Sequence, residues 1–235
     1  RVVMRSDAGS ASVSANAQAA PGLGLWVATA VSYGVNPLVL PPLVYGLVLG
    51  HVGAPPQEVG TGVGIAALFL GVVPLAHVGW MRWRGTIRSL EIRDRRKRTE
   101  PFLGVLAAGV AAFGTVVIVQ DEGRGLLLAL VGCHVLNTGL LFLITTRWKI
   151  SVHCASVSGA LATLVYARLH VPGGLLSDGA VGTLVLGLGA LLVPLLLWAR
   201  VRSRAHTLAQ AVAGTAMGLV APYAELYMIG AGLAG

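Results

Sequence analysis

Seven stretches of the chain run without Asp, Glu, Lys or Arg: residues 21–50, 59–81, 101–120, 125–146, 150–167, 179–199 and 205–224. A helix crosses the hydrocarbon core of a bilayer with roughly 20 mostly apolar residues, so each stretch is long enough or nearly so. The pattern predicts an all-α fold, a polytopic membrane helix bundle of about six to seven transmembrane segments. Residues 21–235 then form a single integral membrane domain. The polar residues 1–20, with no apolar core of their own, read as a flexible N-terminal segment. Pro37, Pro41 and Pro42 fall inside the first stretch. A proline has no N–H for the preceding turn and clashes with it, which predicts a bend there or a division into two shorter helices. Residues 104–112 and 182–190 carry small side chains that permit close helix contact.

Composition agrees, with 55% hydrophobic residues, 11% charged and a mean hydropathy of +0.78, far from the balance of soluble domains. Charge adds a direction. If the stretches alternate across the membrane, all but Arg124 and Arg168 of the 17 Lys and Arg residues share one side, while Glu58, Asp121, Glu122, Asp178 and Glu225 fall on the other. The positive-inside rule makes the basic side cytoplasmic, and the expected location is the plasma membrane of a prokaryote. The formal charge of +8 attracts polyanions, but no nucleic-acid-binding fold surrounds the basic run 93–98, so no nucleic-acid partner is expected. Cys133 and Cys154 sit in apolar stretches without a CxxC pair, which argues against a disulfide or zinc framework. His51, His77, His134 and His170 form no ligand-like local cluster and read as hydrogen-bonded or pocket-lining histidines, so neither metal nor cofactor is expected.

The distinctive chemistry lies at three basic junctions, 93–101, 149–153 and 200–210. In the second, Lys149, Ser151 and His153 gather where a new helix begins, and unpaired amides at a helix start favour an anion. His153 can carry a proton near neutral pH, Ser151 can donate a hydrogen bond, and Lys149 can neutralise phosphate. In the third, His206 and Gln210 are four residues apart, a spacing that places them on one helix face. Gln210 then accepts from one ring nitrogen and leaves the other for substrate. Arg200 approaches from the preceding turn with a planar fork suited to phosphate oxygens.

In this order the junctions resemble the type 2 phosphatidic acid phosphatase superfamily of integral membrane lipid phosphatases. That family has three signatures: Lys, six residues, Arg-Pro; Pro-Ser-Gly-His; and Ser-Arg, five residues, His, three residues, Asp. The corresponding stretches here are Arg93 to Pro101, Ile150-Ser151-Val152-His153, and Ala199-Arg200 through His206 to Gln210, and the similarity covers mainly residues 80–220. The resemblance implies hydrolysis of a phosphomonoester or diphosphate on a membrane lipid without a metal. His206 would be the nucleophile that forms a phosphohistidine, and His153 the group that protonates the leaving oxygen and then helps activate water. Ser151 and Arg200 would hold the phosphoryl oxygens, with Lys149 nearby and Arg93 in the lysine position. Two departures from the pattern bear directly on the chemistry. Glu100 replaces the arginine of the first signature and would repel phosphate if it faced the site, unless Arg98 supplies the missing cation. Gln210 replaces the aspartate and would stabilise an imidazolium less than a carboxylate does.

Two other function classes fit the same features. One is a phosphatase-like protein that binds an anionic lipid but turns it over poorly. The other is a transporter, favoured by the proline-broken first stretch but disfavoured by cations that sit at a boundary and not at the midplane.

Overall fold

The computed structural model describes residues 22–87, 99–120, 124–177 and 179–233. The chain is an all-α bundle in which seven helical spans are long and apolar enough to cross a membrane: Leu23–His51, Pro56–Trp83, Thr99–Val119, Arg124–Arg147, Val152–His170, Ala180–Arg202 and Leu208–Gly230. The third contains 21 residues, about 31 Å at 1.5 Å per residue, the thickness of the hydrocarbon core.

The first two spans are interrupted where proline requires it. Helix α1 (Leu23–Gly34) stops before Asn36, whose side chain accepts from the Leu38 amide and caps a 3-10 turn at Pro37–Val39, and α2 (Leu40–His51) follows. The expected division is therefore present, and the halves pack on different neighbours: α1 on the sixth span, α2 on the second and fifth. In the second span α3 (Pro56–Ile65) passes through a π-type segment, Ala66–Val72, into α4 (Val73–Trp83). Pro74 has no N–H for the Leu70 carbonyl, and a locally widened turn accommodates the loss. The remaining helices are α5 (Thr99–Val119), α6 (Arg124–Arg147), α7 (Val152–His170), α8 (Ala180–Arg202) and α9 (Leu208–Leu233).

Helix α7 is the hub, packing on α2, α8 and α9. Its contact with α9 is backbone against backbone. A Cβ at Gly218 would lie 2.2 Å from the Ala155 carbonyl oxygen, and one at Gly214 2.5 Å from that of Ser151. Lipid supplies no hydrophobic drive between helices, so such close van der Waals packing is what holds a membrane pair together. The small-residue stretches expected to pack also do so: Gly104 against His77, Gly109 against Val135 and Gly189 against Leu161. At the non-basic end His51 fastens the α7–α8 loop. Its Nδ1 accepts from the Leu176 amide at 2.9 Å, and its Nε2 lies 3.1 Å from the Val171 carbonyl, an arrangement that places the ring proton on Nε2. All five tryptophans, Trp26, Trp80, Trp83, Trp148 and Trp198, lie in or next to helix ends on the basic side, the place of an interfacial aromatic belt.

Most helices run on past the charges that bound the charge-free stretches, and three cases lie deepest. Arg200 and Arg202 belong to the last turn of α8 and not to a turn after it, and Arg168 lies inside α7. Glu225 lies inside α9, with Asn137 of α6 donating to its Oε2. Cutting the sequence at each charge misplaces these residues; Arg168 and Glu225 sit inside helices with partners from other elements, the Leu176 and Ser177 carbonyls and the Asn137 amide.

Gly218→Leu should wedge α9 from α7 and lower stability by about 1–3 kcal/mol, the usual cost of overpacking. Gly187→Ala, at a site with no atom within 4 Å, should be neutral or stabilising. Thermal unfolding of the two variants in detergent checks the difference.

Candidate active site at the basic face

The α7–α9 contact joins two of the basic junctions directly. The Ser151 amide donates to the Gln210 carbonyl at 3.2 Å, and Lys149 Nζ donates to the Ala205 carbonyl at 3.0 Å. The start of α5 joins them through Phe102, which packs in one buried cluster with Leu141, Ile150 and Ala155. Residues 99–102, 149–151 and 205–210 therefore share one end of the bundle. Arg93 and Arg98 lie outside the described residues.

Three helix ends position the polar groups, each by its own capping device. At the start of α7, Ser151 is the N-cap, and its Oγ accepts from the Cys154 amide at 3.3 Å. The residue is wholly buried. Its hydroxyl lone pair serves the helix. At the end of α8, the Ala205 amide bonds to the Arg200 carbonyl and the Arg204 amide to the Val201 carbonyl. This is the Schellman pattern, and it puts Arg204 at the left-handed position that glycine usually fills, with φ 54°. The resulting tight reversal also brings the His206 amide to the Arg200 carbonyl at 3.2 Å.

At the start of α9 the sequence Thr207-Leu-Ala-Gln210 forms a capping box. The Gln210 amide donates to Thr207 Oγ1, and the Thr207 amide donates to Gln210 Oε1, both at 3.3 Å. The same Oε1 lies 3.3 Å from His206 Nδ1. The predicted His206–Gln210 contact is thus present, but not by sharing a helix face. His206 precedes the helix, and Gln210 reaches back to it. With Oε1 as acceptor, Nδ1 carries the ring proton and Nε2 is left as the basic nitrogen.

Arg200 and His206 are both buried, at 5% and 7% exposure, and Arg200 lies close to Cys154 on the first turn of α7. The structure thus brings together Lys149, Ser151, Arg200, His206 and Gln210. His153 stands differently. It is half-buried on the same first turn of α7, but the α9-facing stripe passes through Ala155. Two residues along a helix correspond to about 200° of rotation, so His153 lies on the flank away from α9.

Glu100 does not confront this group as a bare charge. Arg84 Nη2 pairs with its Oε1 at 2.8 Å, and the same guanidinium stacks on Trp80 at 3.4 Å from the ring centroid. The pair is partly exposed, so its worth is small, about 0–1 kcal/mol. Its effect is to neutralise the charge-reversed position. The sequence holds the signal: Trp80 lies in the last turn of α4 and Arg84 is its C-cap residue, four residues on. The capping box was equally readable as Thr-x-x-Gln. Among the described residues no three His, Cys, Asp or Glu side chains group closely enough to hold a metal ion.

Left-handed backbone costs a non-glycine residue about 1–2 kcal/mol. Arg204→Gly should therefore raise stability by about 1 kcal/mol, and Arg204→Val should lower it. Chemical or thermal unfolding of both variants reads the sign.

Comparison of the chain with protein-family models, with curated proteins and with solved structures finds no match.

Proposed function

We propose that the protein hydrolyses a phosphomonoester or diphosphate on a membrane lipid through a phosphohistidine. The observation that carries this reading is a buried histidine, His206, whose Nδ1 is held by Gln210 at the same end of the bundle as Lys149, Ser151 and Arg200. In this reading Nε2 of His206 attacks phosphorus. Arg200, Lys149 and the α7 amides offset the charge that grows on the phosphoryl oxygens, with the Ser151 hydroxyl hydrogen as a further donor. His153 is the group assigned to protonate the leaving lipid oxygen and then deprotonate the water that attacks the phosphohistidine; from its flank of α7 it acts only if the substrate phosphate reaches across the first turn of that helix. The substrate is a lipid phosphate or diphosphate, with its head group at the basic face and its tail in hydrocarbon. The face is cytoplasmic by the charge bias, and the membrane is the plasma membrane of a prokaryote.

Gln210 supports the nucleophile as a neutral partner. It fixes the tautomer but stabilises a developing imidazolium less than a carboxylate does. This keeps a second reading in view, an anionic-lipid-binding protein with slow turnover. The two separate experimentally.

His206→Ala should abolish both phosphate release and incorporation of label from a 32P-labelled lipid phosphate, while the lipid still binds. His153→Ala should retain some labelling with a good leaving group but lose turnover. Gln210→Glu keeps the reach to Thr207 and His206 and adds a carboxylate, and turnover should rise. Phosphate release by purified His206→Ala overturns the nucleophile, and an inactive native protein on a panel of lipid phosphates favours the binding reading.

A cysteine introduced at Arg95 reports the orientation. In intact cells it should not react with a membrane-impermeant thiol reagent, and ready labelling places the basic face outside.

A further inference from the structure

A half-open cavity of about 110 Å³ lies between α2, α6, α7 and α9. Its upper wall is shared with the basic end: Leu141, Ala155 and Met217 border the cavity and also pack in the apolar cluster with Phe102 and Ile150. Ala155 is four residues past Ser151, about 6 Å along α7 at 1.5 Å per residue. The cavity therefore begins one helical turn below the polar group at the start of α7.

The walls select an occupant. Among the described residues no Lys, Arg, Asp or Glu borders the space, so a phosphate or any other charged head would lose its hydration there and gain no counter-charge. Much of the wall is apolar, Leu40, Val44 and Leu130 included, and favours contact with carbon. Oxygen is called for as well. Tyr45 is 4% exposed, and neither its hydroxyl nor the buried Nε2 of His134 has a hydrogen-bond partner. The Tyr45 hydroxyl lies near the Cys133 thiol, which places it beside the stretch of α6 that carries His134. On α9, Pro222 has no N–H for the Gly218 carbonyl, whose oxygen lies 3.6 Å from where a Cβ would stand at Gly159 on the cavity wall.

A hydrocarbon occupant leaves these groups buried without partners. A ketone or ester oxygen only accepts, so it offers nothing to the Gly218 carbonyl. A hydroxyl both donates and accepts, and it matches the set. An engineered cavity of about 150 Å³ holds one benzene molecule, so this space takes a hydroxyl and a few carbons, and a longer chain leaves through the open side.

We propose that the cavity binds an uncharged long-chain alcohol, with its hydroxyl against Tyr45 and His134 and its chain running out of the open side. The place of this alcohol in turnover rests on the phosphatase reading. Loss of phosphate from a lipid phosphate leaves a lipid alcohol, which the cations of the basic face no longer hold and the cavity one turn below accepts. The cavity is then a product site, separate from the phosphate site above it.

Photolabelling of the full chain in lipid nanodiscs tests this, with hexadecanol carrying a diazirine a few carbons from the hydroxyl and with adducts mapped by peptide mass spectrometry. Adducts should concentrate on the cavity-lining turns of α2, α6 and α7. Unlabelled hexadecanol should displace them, whereas hexadecane and the non-hydrolysable hexadecylphosphonate should not. Tyr45→Phe, which removes one oxygen atom and keeps the ring, should weaken labelling several-fold, and Ser156→Leu, which adds bulk at the wall, should abolish it. Adducts spread over the lipid-facing helix surfaces, displacement by hexadecane as effective as by hexadecanol, or unchanged labelling of Tyr45→Phe overturns the proposal. Concentrated labelling in a preparation that releases no phosphate from lipid phosphates upholds the cavity and counts against the phosphatase reading, and phosphate release without such labelling does the reverse.

Discussion

The close approach of α7 and α9 is the contact on which the basic face depends. With no Cβ at 214 and 218, the two backbones meet, and the Ser151 amide reaches the Gln210 carbonyl. That bond fixes the start of α7 beside the start of α9, and the ends of α6 and α8 follow because short turns tether them. A methyl group at either glycine would enter a carbonyl oxygen of α7. In lipid, where burial of apolar area between helices gains little, such contact is also the main source of cohesion.

Helix ends do the positioning. A serine N-cap, a Schellman turn and a capping box lie within a few residues of one another, and each satisfies backbone groups that a helix leaves unpaired. The polar side chains of the site are those same capping residues or their immediate neighbours. Ser151 and Gln210 therefore hold the fold locally as well as standing where a phosphate would bind in the proposed reading. Their substitution affects stability and chemistry together, and this is why covalent labelling separates the roles better than loss of activity does.

Charge is handled in two ways. At the basic face Glu100 is paired by Arg84, which rests on Trp80, so an inverted charge at a junction of cations is balanced within its own helix pair. On α9 the partly buried Glu225 has the Asn137 amide as its partner in place of a cation.

Much was legible in the sequence. Charge-free runs of about membrane thickness give the seven spans, since no polar backbone or side chain crosses hydrocarbon cheaply. Three prolines in the first run predict its bending or division, and the structure divides it at 35–39. Lys149, Ser151, Arg200, His206 and Gln210 were all identified by residue type and spacing. What spacing misjudged was context. A four-residue interval suggested one helix face for His206 and Gln210, yet the helix starts after His206, because the Schellman turn at Arg204 uses up the intervening residues. Likewise Glu225 looked like a loop residue until Asn137, distant in sequence, supplied its partner. Local patterns thus determined which segments span the membrane and which residue types collect at its edge, because those depend on solvation along the chain. Which backbones touch, which flank His153 occupies and which partner Glu225 finds were decided only by tertiary packing, because they depend on atoms that the sequence separates by tens of residues.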